Sequence, residues 1–514
     1  MTPTPLNRLA VLADARDNVA IAKQDLAKGQ TLFRSGATVT LLEDCPKGQR
    51  FTLVPLAAGA VLVQYGHAFA ASLGLEPGQR VTPESIRDLA KGLNELKAKY
   101  LARTSWPQLP PALDSGLRFQ GIHRADGQVG TRNYYLLVPA SFCAADIANK
   151  LAAKFDHETE LQQFPGLDGV VSAAHTEGCG CNDGKIVERL LLTLKNTIRH
   201  PNVCGALVVD LGCEKTSRAV SEPYLGDLGK PVDYLTIQEV GGTGAALRRG
   251  EEILRQRLPQ LCQVTRVATP LSKLILGTEC GASDSFSGIT ANPLIGAVAD
   301  QVSAAGGAAI LTEFPEIMGG EEILLERMTN RPTVERFFAL LEEYLGWAAA
   351  LKVQMSGNLV AGNKAGGLLN TAIKSLGAIL KGGKGPITNA LDYGEACTTP
   401  GLSLMTGPGN DFESLTGLTA AGANLILFST GRGTTEGSLL VPVVKISSNS
   451  ALFQRLPEDM DFDAGRLLEQ TGDFQTLSNE LLQLSLEVAS GKQTWSERWK
   501  KRSFQIWTAG KLSL

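Results

Sequence analysis

The sequence predicts an α/β protein, with a small β-rich domain at the amino terminus followed by two α/β domains with largely parallel sheets. Three observations predict it. Residues 1–105 open with short alternating segments broken by Gly and Pro; beyond residue 118 buried apolar runs alternate with amphipathic helical ones; and 514 residues, 43% of them hydrophobic, must divide their core among several domains.

Taken in order, VAIAKQDL, QTLFRSGATVTLL and QRFTLVPLAAGAVLVQYG have the alternation of hairpin strands. The stretch from Arg87 begins with a helical pattern and ends in Pro107, Pro110 and Pro111, which predicts a helix and then a linker over 106–117. From 118 to 267, YYLLVPA, DGVVSAA, GALVVDL and PVDYLTI are strands spaced by helical segments such as KIVERLLLTLKNTI. A second α/β set over 268–514 begins at LILGTEC. It continues through AAILTEF, one long helical stretch from Glu321 to about Leu351, and the strands SLMTG, NLILFST and VPVVKIS.

Composition narrows the function. With 49 Lys+Arg against 52 Asp+Glu the net charge is −3, which supplies no basic field for nucleic acid. No apolar run reaches membrane-span length and the start lacks a signal-peptide layout, so a soluble, cytoplasmic protein with no membrane partner is expected. Nine cysteines in such a chain are expected as reduced thiols, some of them metal ligands.

The chemistry is expected where strands end. Ser172–Cys181, Asp210–Thr216 and Gly277–Asp284 each place Gly beside Cys after an apolar strand, and strand ends of an α/β sheet converge on a crevice. Cys179, Cys213 and Cys280 could therefore meet and hold a soft-ligated metal or an iron–sulfur cluster, unless they simply pack in tight turns. His175 is placed to ligate metal or move a proton. A second group comprises Asn363 and Lys364, Lys374 and Ser375, Tyr393 and Glu395, Asn410 and Asp411, and Arg432. These Gly-flanked donors suit a small anionic, hydroxylated ligand, although each motif alone could be a turn or cap. Gly242-Thr-Gly244 and Gly431-Arg-Gly433 are incomplete dinucleotide fingerprints, and no phosphate loop or nucleophile elbow occurs.

At these motifs the chain resembles the altronate/galactarate dehydratase family. The resemblance is carried by GQVGTRN (127–133), HTEGC (175–179), LGCE (211–214), ECGASDSFSGITANP (279–293), LTEFPE (311–316), GNKAGG (362–367), KSLG (374–377), YGE (393–395), TPGLSLM (399–405), GPGND (407–411) and FSTGRGT (428–434). The amino-terminal segment, with DNVAIA, KGQRFTL and YGHAFA, looks like the small β-clip (SAF) domain of such enzymes. Gly48-Gln49-Arg50 stands where members usually have Gly-His-Lys, so the imidazole is missing here.

The resemblance implies an iron-dependent hydro-lyase, with Fe2+ or an iron–sulfur cluster, that converts a sugar acid to a 2-keto-3-deoxy acid. It implies His175, Cys179, Cys213 and Cys280 around the iron. Lys364, Lys374, Tyr393 and Glu395 would join His175 in catalysis, and Arg132, Asn363, Ser375, Asn410, Asp411 and Arg432 would bind substrate. The expected partner is the anionic sugar acid, with a homo-oligomer possible. A lyase of the same scaffold that expels sulfite from a sulfonated hydroxy acid, or a non-catalytic sugar-acid-binding protein, are the alternatives.

Overall fold

The computed structural model of the chain describes residues 3–89 and 92–508. The amino-terminal module is a set of short strands in three small sheets, the largest joining Ala10–Val11, Val19–Ala22, Arg50–Thr52 and Arg80–Val81 in antiparallel fashion. Every residue of Val19–Ala22 is buried, which is why this hairpin set can hold a core at so small a size. The helix Leu93–Leu101 and an extended segment then run back along the body, where Lys97 pairs with Glu342 and Lys99 with Glu322.

The second unit has four parallel strands: β1 (Tyr134–Pro139), β2 (Gly169–Ser172), β3 (Val203–Asp210) and β4 (Val232–Thr236), in the order β2-β1-β3-β4. β1 and β3 are buried at every residue, as strands covered on both faces must be. The crossover helix Lys185–Arg199 buries Leu190, Leu194 and Ile198 along one stripe, the four-residue spacing of an amphipathic helix.

The third unit is a seven-stranded parallel sheet of β5 (Ile275–Gly281), β6 (Ala308–Leu311), β7 (Ile387–Leu391), β8 (Gly401–Met405), β9 (Leu425–Thr430), β10 (Val443–Ser447) and β11 (Phe462–Asp463). Its order is β7-β8-β6-β5-β9-β10-β11. The fold class predicted from sequence is therefore the one observed, a SAF-type module ahead of two parallel α/β units. Strand β7 escapes the sequence pattern because Thr388 and Asn389 interrupt its apolar run and a bulge offsets its pairing. The predicted single helix from Glu321 to Leu351 is two, Glu321–Arg327 and Arg331–Ala350. The Asn330 side chain caps the second by accepting from the Thr333 amide, and Pro332 fits only its first turn.

The cores ignore unit boundaries. One cluster joins Leu62 and Phe69 of the amino-terminal module to Leu294, Leu376 and Leu427 of the third unit, and another joins Leu136 and Leu194 to Ile310, Leu418 and Phe428. Arg50 ties the first of these seams: its guanidinium donates to Gln64 Oε1, to Ser285 Oγ and to the Gly367 carbonyl. Gly367 must be glycine there, because a Cβ would lie 2.3 Å from the Gly48 oxygen and its φ is +93°.

Candidate active site

In doubly wound sheets a ligand crevice opens where consecutive strands leave in opposite directions. The second unit has such a point between β1 and β3, but its own side chain fills it. The Glu214 carboxylate accepts from the amides of Leu211 (2.8 Å), Gly212 (2.8 Å) and Cys213 (3.0 Å) and from Ser141 Oγ (3.1 Å). Burial pushes this carboxyl up, yet those amides outweigh it and hold the group below its ordinary value. His175 is likewise committed: Nδ1 accepts from the Glu177 amide (3.1 Å) and Nε2 reaches the Pro139 carbonyl (2.9 Å), which leaves neither nitrogen for a metal.

The third unit has its switch point between β5 and β9, and there the chemistry is unfinished. Glu279 and Cys280 end β5, Glu313 and Glu316 follow β6, Asp411 opens the helix Asp411–Ala420 after β8, and Lys445 lies within β10. Lys374 comes from the helix Thr371–Ala378 and Lys381 from the 3-10 turn Ile379–Gly382. All but Asp411, which is partly covered, are buried. Glu313 adopts φ +73° and Ala282 φ +50°, left-handed backbone just past two neighbouring strand ends that costs about 1–2 kcal/mol apiece. Gly281 leaves room for Asp411, since a Cβ would stand 2.2 Å from its Oδ2.

The charges divide into two groups. In the first, Lys381 Nζ lies 2.7 Å from Cys280 Sγ, 3.3 Å from Glu313 and 3.4 Å from Glu316, while Lys374 Nζ lies 3.1 Å from Glu316 and donates to the Asn358 carbonyl. Burial pushes Glu316 up, but Lys374 and Lys381 prevail and hold it at about 2. In the second, Glu279, Glu313 and Asp411 offer oxygens within 4.8 Å of one another, and among the described residues neither Glu279 nor Asp411 forms an ion pair with a lysine. Burial raises Glu279 to about 8 and Asp411 to about 6, and burial with the charges of Glu279 and Glu316 raises Glu313 well above its usual range. Lys445 Nζ has no hydrogen-bond partner among the described residues, sits 3.3 Å over the Phe428 ring, and is lowered to about 7 by burial. Glu279 Oε1 and the hydroxyls of Thr312, Ser375, Thr406 and Ser447 are also buried and unpartnered. So many unmade bonds at one end of one sheet make it the candidate ligand-binding site.

The structure thus gathers Cys280, Lys374, Ser375 and Asp411 from the residues singled out in the sequence and distributes the others. Cys179 and Cys213 are exposed whereas Cys280 is buried, and the metal-capable groups among the described residues contain neither. A three-thiolate site is therefore not assembled; the thiols of the second unit end a different sheet. Arg132 is a strut, with all its donors spent on Glu497 and on the carbonyls of Thr131, Val488 and Lys492. Tyr393 donates to the Glu413 carbonyl (2.6 Å) within an aromatic cluster with Trp507, and Glu395 pairs with Arg336, so neither is free to move a substrate proton. Asn363 pins the Ser283 carbonyl and Asn410 caps its helix at the Phe412 amide; Lys364 and Arg432 stand exposed outside the buried cluster. The sequence reading missed Glu279, Glu313, Glu316, Lys381 and Lys445. The signal for Lys445 was a lysine inside the apolar strand VPVVKIS.

A doubly wound unit whose strand ends bear buried carboxylates and amines around unsatisfied polar atoms, beside a small β-rich module, is the arrangement of an α/β enzyme with its site at a switch point. Family models match consecutively: the altronate/galactarate dehydratase SAF domain over 8–87, the D-galactarate dehydratase/altronate hydrolase second domain over 121–262, and the D-galactarate/altronate dehydratase C-terminal domain over 271–512. The chain is 36% identical to an altronate dehydratase of Escherichia coli over 96% of its own length and 98% of the relative's. It is 33% identical to an altronate dehydratase of Bacillus subtilis with the same coverage, and 31% identical to a galactarate dehydratase (L-threo-forming) of Escherichia coli over 94% and 93%. The chain belongs to the altronate/galactarate dehydratase family and is a hydro-lyase.

Proposed function

We propose that this chain dehydrates a sugar acid, an aldonate or aldarate such as altronate or galactarate, to the 2-keto-3-deoxy acid in the cytoplasm, with Fe2+ as cofactor. The observation that carries this is the concentration of unpartnered buried polar atoms around Glu279, Glu313 and Asp411. An all-oxygen set of crowded carboxylates with raised pKa values suits a single divalent cation, for which we propose Fe2+, over a thiolate-held cluster. The neighbouring Cys280–Glu313–Glu316 group already holds a cation in Lys381, and an iron–sulfur cluster does not fit because its thiolates are not gathered. Glu279, Glu313 and Asp411 would hold Fe2+, which as a Lewis acid would stabilise charge on the substrate carboxylate and departing hydroxyl.

The chain's own groups supply the remainder. Lys445 Nζ, unpartnered and near neutrality in its pKa, is the base for the proton α to the carboxylate. Lys374 and Lys381 keep Glu316 ionised and place positive charge beside the enediolate-like intermediate. The hydroxyls of Thr312, Ser375 and Thr406 match the polyol chain, and the buried setting keeps water from competing for these bonds. The test is an anaerobic screen of the iron-loaded protein against aldonates, aldarates and sulfolactate. A 2-keto-3-deoxy product from a sugar acid is expected; sulfite release from sulfolactate, with every sugar acid untouched, would overturn the proposal.

A further inference from the structure

The pair at the heart of the buried cluster has an unusual closeness. Lys381 Nζ lies 2.7 Å from Cys280 Sγ, nearer than the bulk of sulfur allows in an ordinary N–H···S hydrogen bond and close to the span of a single bridging oxygen atom. Both side chains are buried, Cys280 at the end of β5 and Lys381 in the turn Ile379–Gly382, so packing from two elements holds them together. The Glu316 carboxylate touches both partners, accepting from Cys280 Sγ at 2.8 Å and from Lys381 Nζ at 3.4 Å, and is placed to carry a proton between them. Thiol, amine and proton shuttle are therefore assembled at one point, beside the crevice in which the proposed substrate binds.

We propose that Cys280 and Lys381 form a site of reversible covalent modification, an Sγ–O–Nζ bridge made by dioxygen. From the thiolate–ammonium pair two N–H bonds break, equivalent to one S–H and one N–H bond of the thiol–amine pair, and S–O and O–N bonds form. One oxygen atom of dioxygen becomes the bridge; the other leaves as water with two of the three hydrogens, the third staying on nitrogen. Sulfur and nitrogen each give up two electrons, and these four reduce the dioxygen. The bridged nitrogen no longer carries a charge, so Glu313 and Glu316 lose the cation between them and the cluster loses the electrostatics that the intact enzyme holds. Two equivalents of a dithiol, each oxidised to its disulfide, supply the four electrons and four hydrogens that return the thiol and the amine, with the bridging oxygen released as water.

The experiment is accurate-mass analysis of the full-length protein, prepared anaerobically and then exposed to air-saturated buffer, followed by peptide mapping. Expected is a gain of one oxygen less two hydrogens, a linked pair of peptides carrying residues 280 and 381, and loss of both on treatment with dithiothreitol. Cys280→Ser and Lys381→Met should each abolish the link. Because either variant could fail to fold, a high-resolution crystal structure of air-exposed wild type is the second readout, with density for one atom between Sγ and Nζ. An unchanged mass after exposure, or Cys280 oxidised to sulfenic or sulfinic acid with Lys381 unlinked, would overturn the proposal. The measurement uses no substrate, so its outcome is independent of whether a sugar acid is dehydrated.

Discussion

Replacing Arg132 by Ala separates a strut from a substrate-binding residue. A guanidinium has five N–H donors. In this protein Nε and Nη2 grip the Glu497 carboxylate at 2.6 and 2.9 Å, Nη1 donates to the carbonyls of Thr131 (2.7 Å) and Val488 (2.9 Å), and Nη2 donates to that of Lys492 (2.9 Å). No donor is left for a ligand. Truncation strands a nearly buried carboxylate and three carbonyls, for which the usual penalty is about 3–5 kcal/mol. At about 2 °C per kcal/mol, suitable for a cooperative unit of this size, the melting temperature should fall by about 6–10 °C. Differential scanning calorimetry checks the first quantity and steady-state kinetics well below the new midpoint checks the second, where KM should stay within about twofold of wild type. An unchanged melting temperature with KM raised tenfold would refute the assignment.

Three further outcomes follow from the same geometry. Lys445→Met should cost about 100-fold or more in kcat while melting no lower than the parent, because an unpartnered buried amine is itself worth about 1–3 kcal/mol of instability; full activity would remove Lys445 as the base. Asp411→Asn should weaken Fe2+ binding at least about tenfold by calorimetric titration, whereas Cys213→Ser should leave it unchanged; the reverse pattern would restore a thiolate site. His200, whose Nε2 meets the Ala423 carbonyl across the seam between the second and third units, is lowered by burial from 6.5 to about 3. A folded-state value below the unfolded one means its stabilisation is complete above pH 6.5 and lost as pH falls toward 3. Wild type should lose up to about 1.4 kcal/mol per pH unit over that window from this group, and equal acid profiles for wild type and His200→Gln would count against it.

The fold was legible because strands covered on both faces must be apolar along their whole length, and GALVVDL or NLILFST admit little else. β7 was not, since its polar residues at 388 and 389 mimic a loop. At the site, the rule that ligands gather at carboxyl ends of strands pointed to the right end of both sheets, but not to which sheet was unfinished. Sequence cannot show that Glu214 has already filled one crevice with its own carboxylate. Lys381 was hidden in Lys-Gly-Gly-Lys, a string that reads as a turn, and Glu313 and Glu316 sit on a left-handed bend at Glu313 that no residue pattern announces. Arg132 was misplaced because a motif marks a need for a guanidinium without distinguishing a substrate from Glu497.

The strands that enter and leave the second unit lie side by side: Arg118–His123 pairs antiparallel with Val267–Pro270, Gly121 opposite Val267. Along the chain, everything between them is a single excursion from a two-stranded neck, of the kind that could be gained or excised whole without moving either flank. Burial draws the border elsewhere. Leu136, Leu194 and Val208 share one apolar cluster with Ile310, Leu418 and Phe428, so an excised body would close its backbone neatly and still present a bare hydrophobic wall. Connectivity makes the unit a detachable cassette and solvation makes it a permanent one, so a shortened relative would have to cover that wall with a second chain.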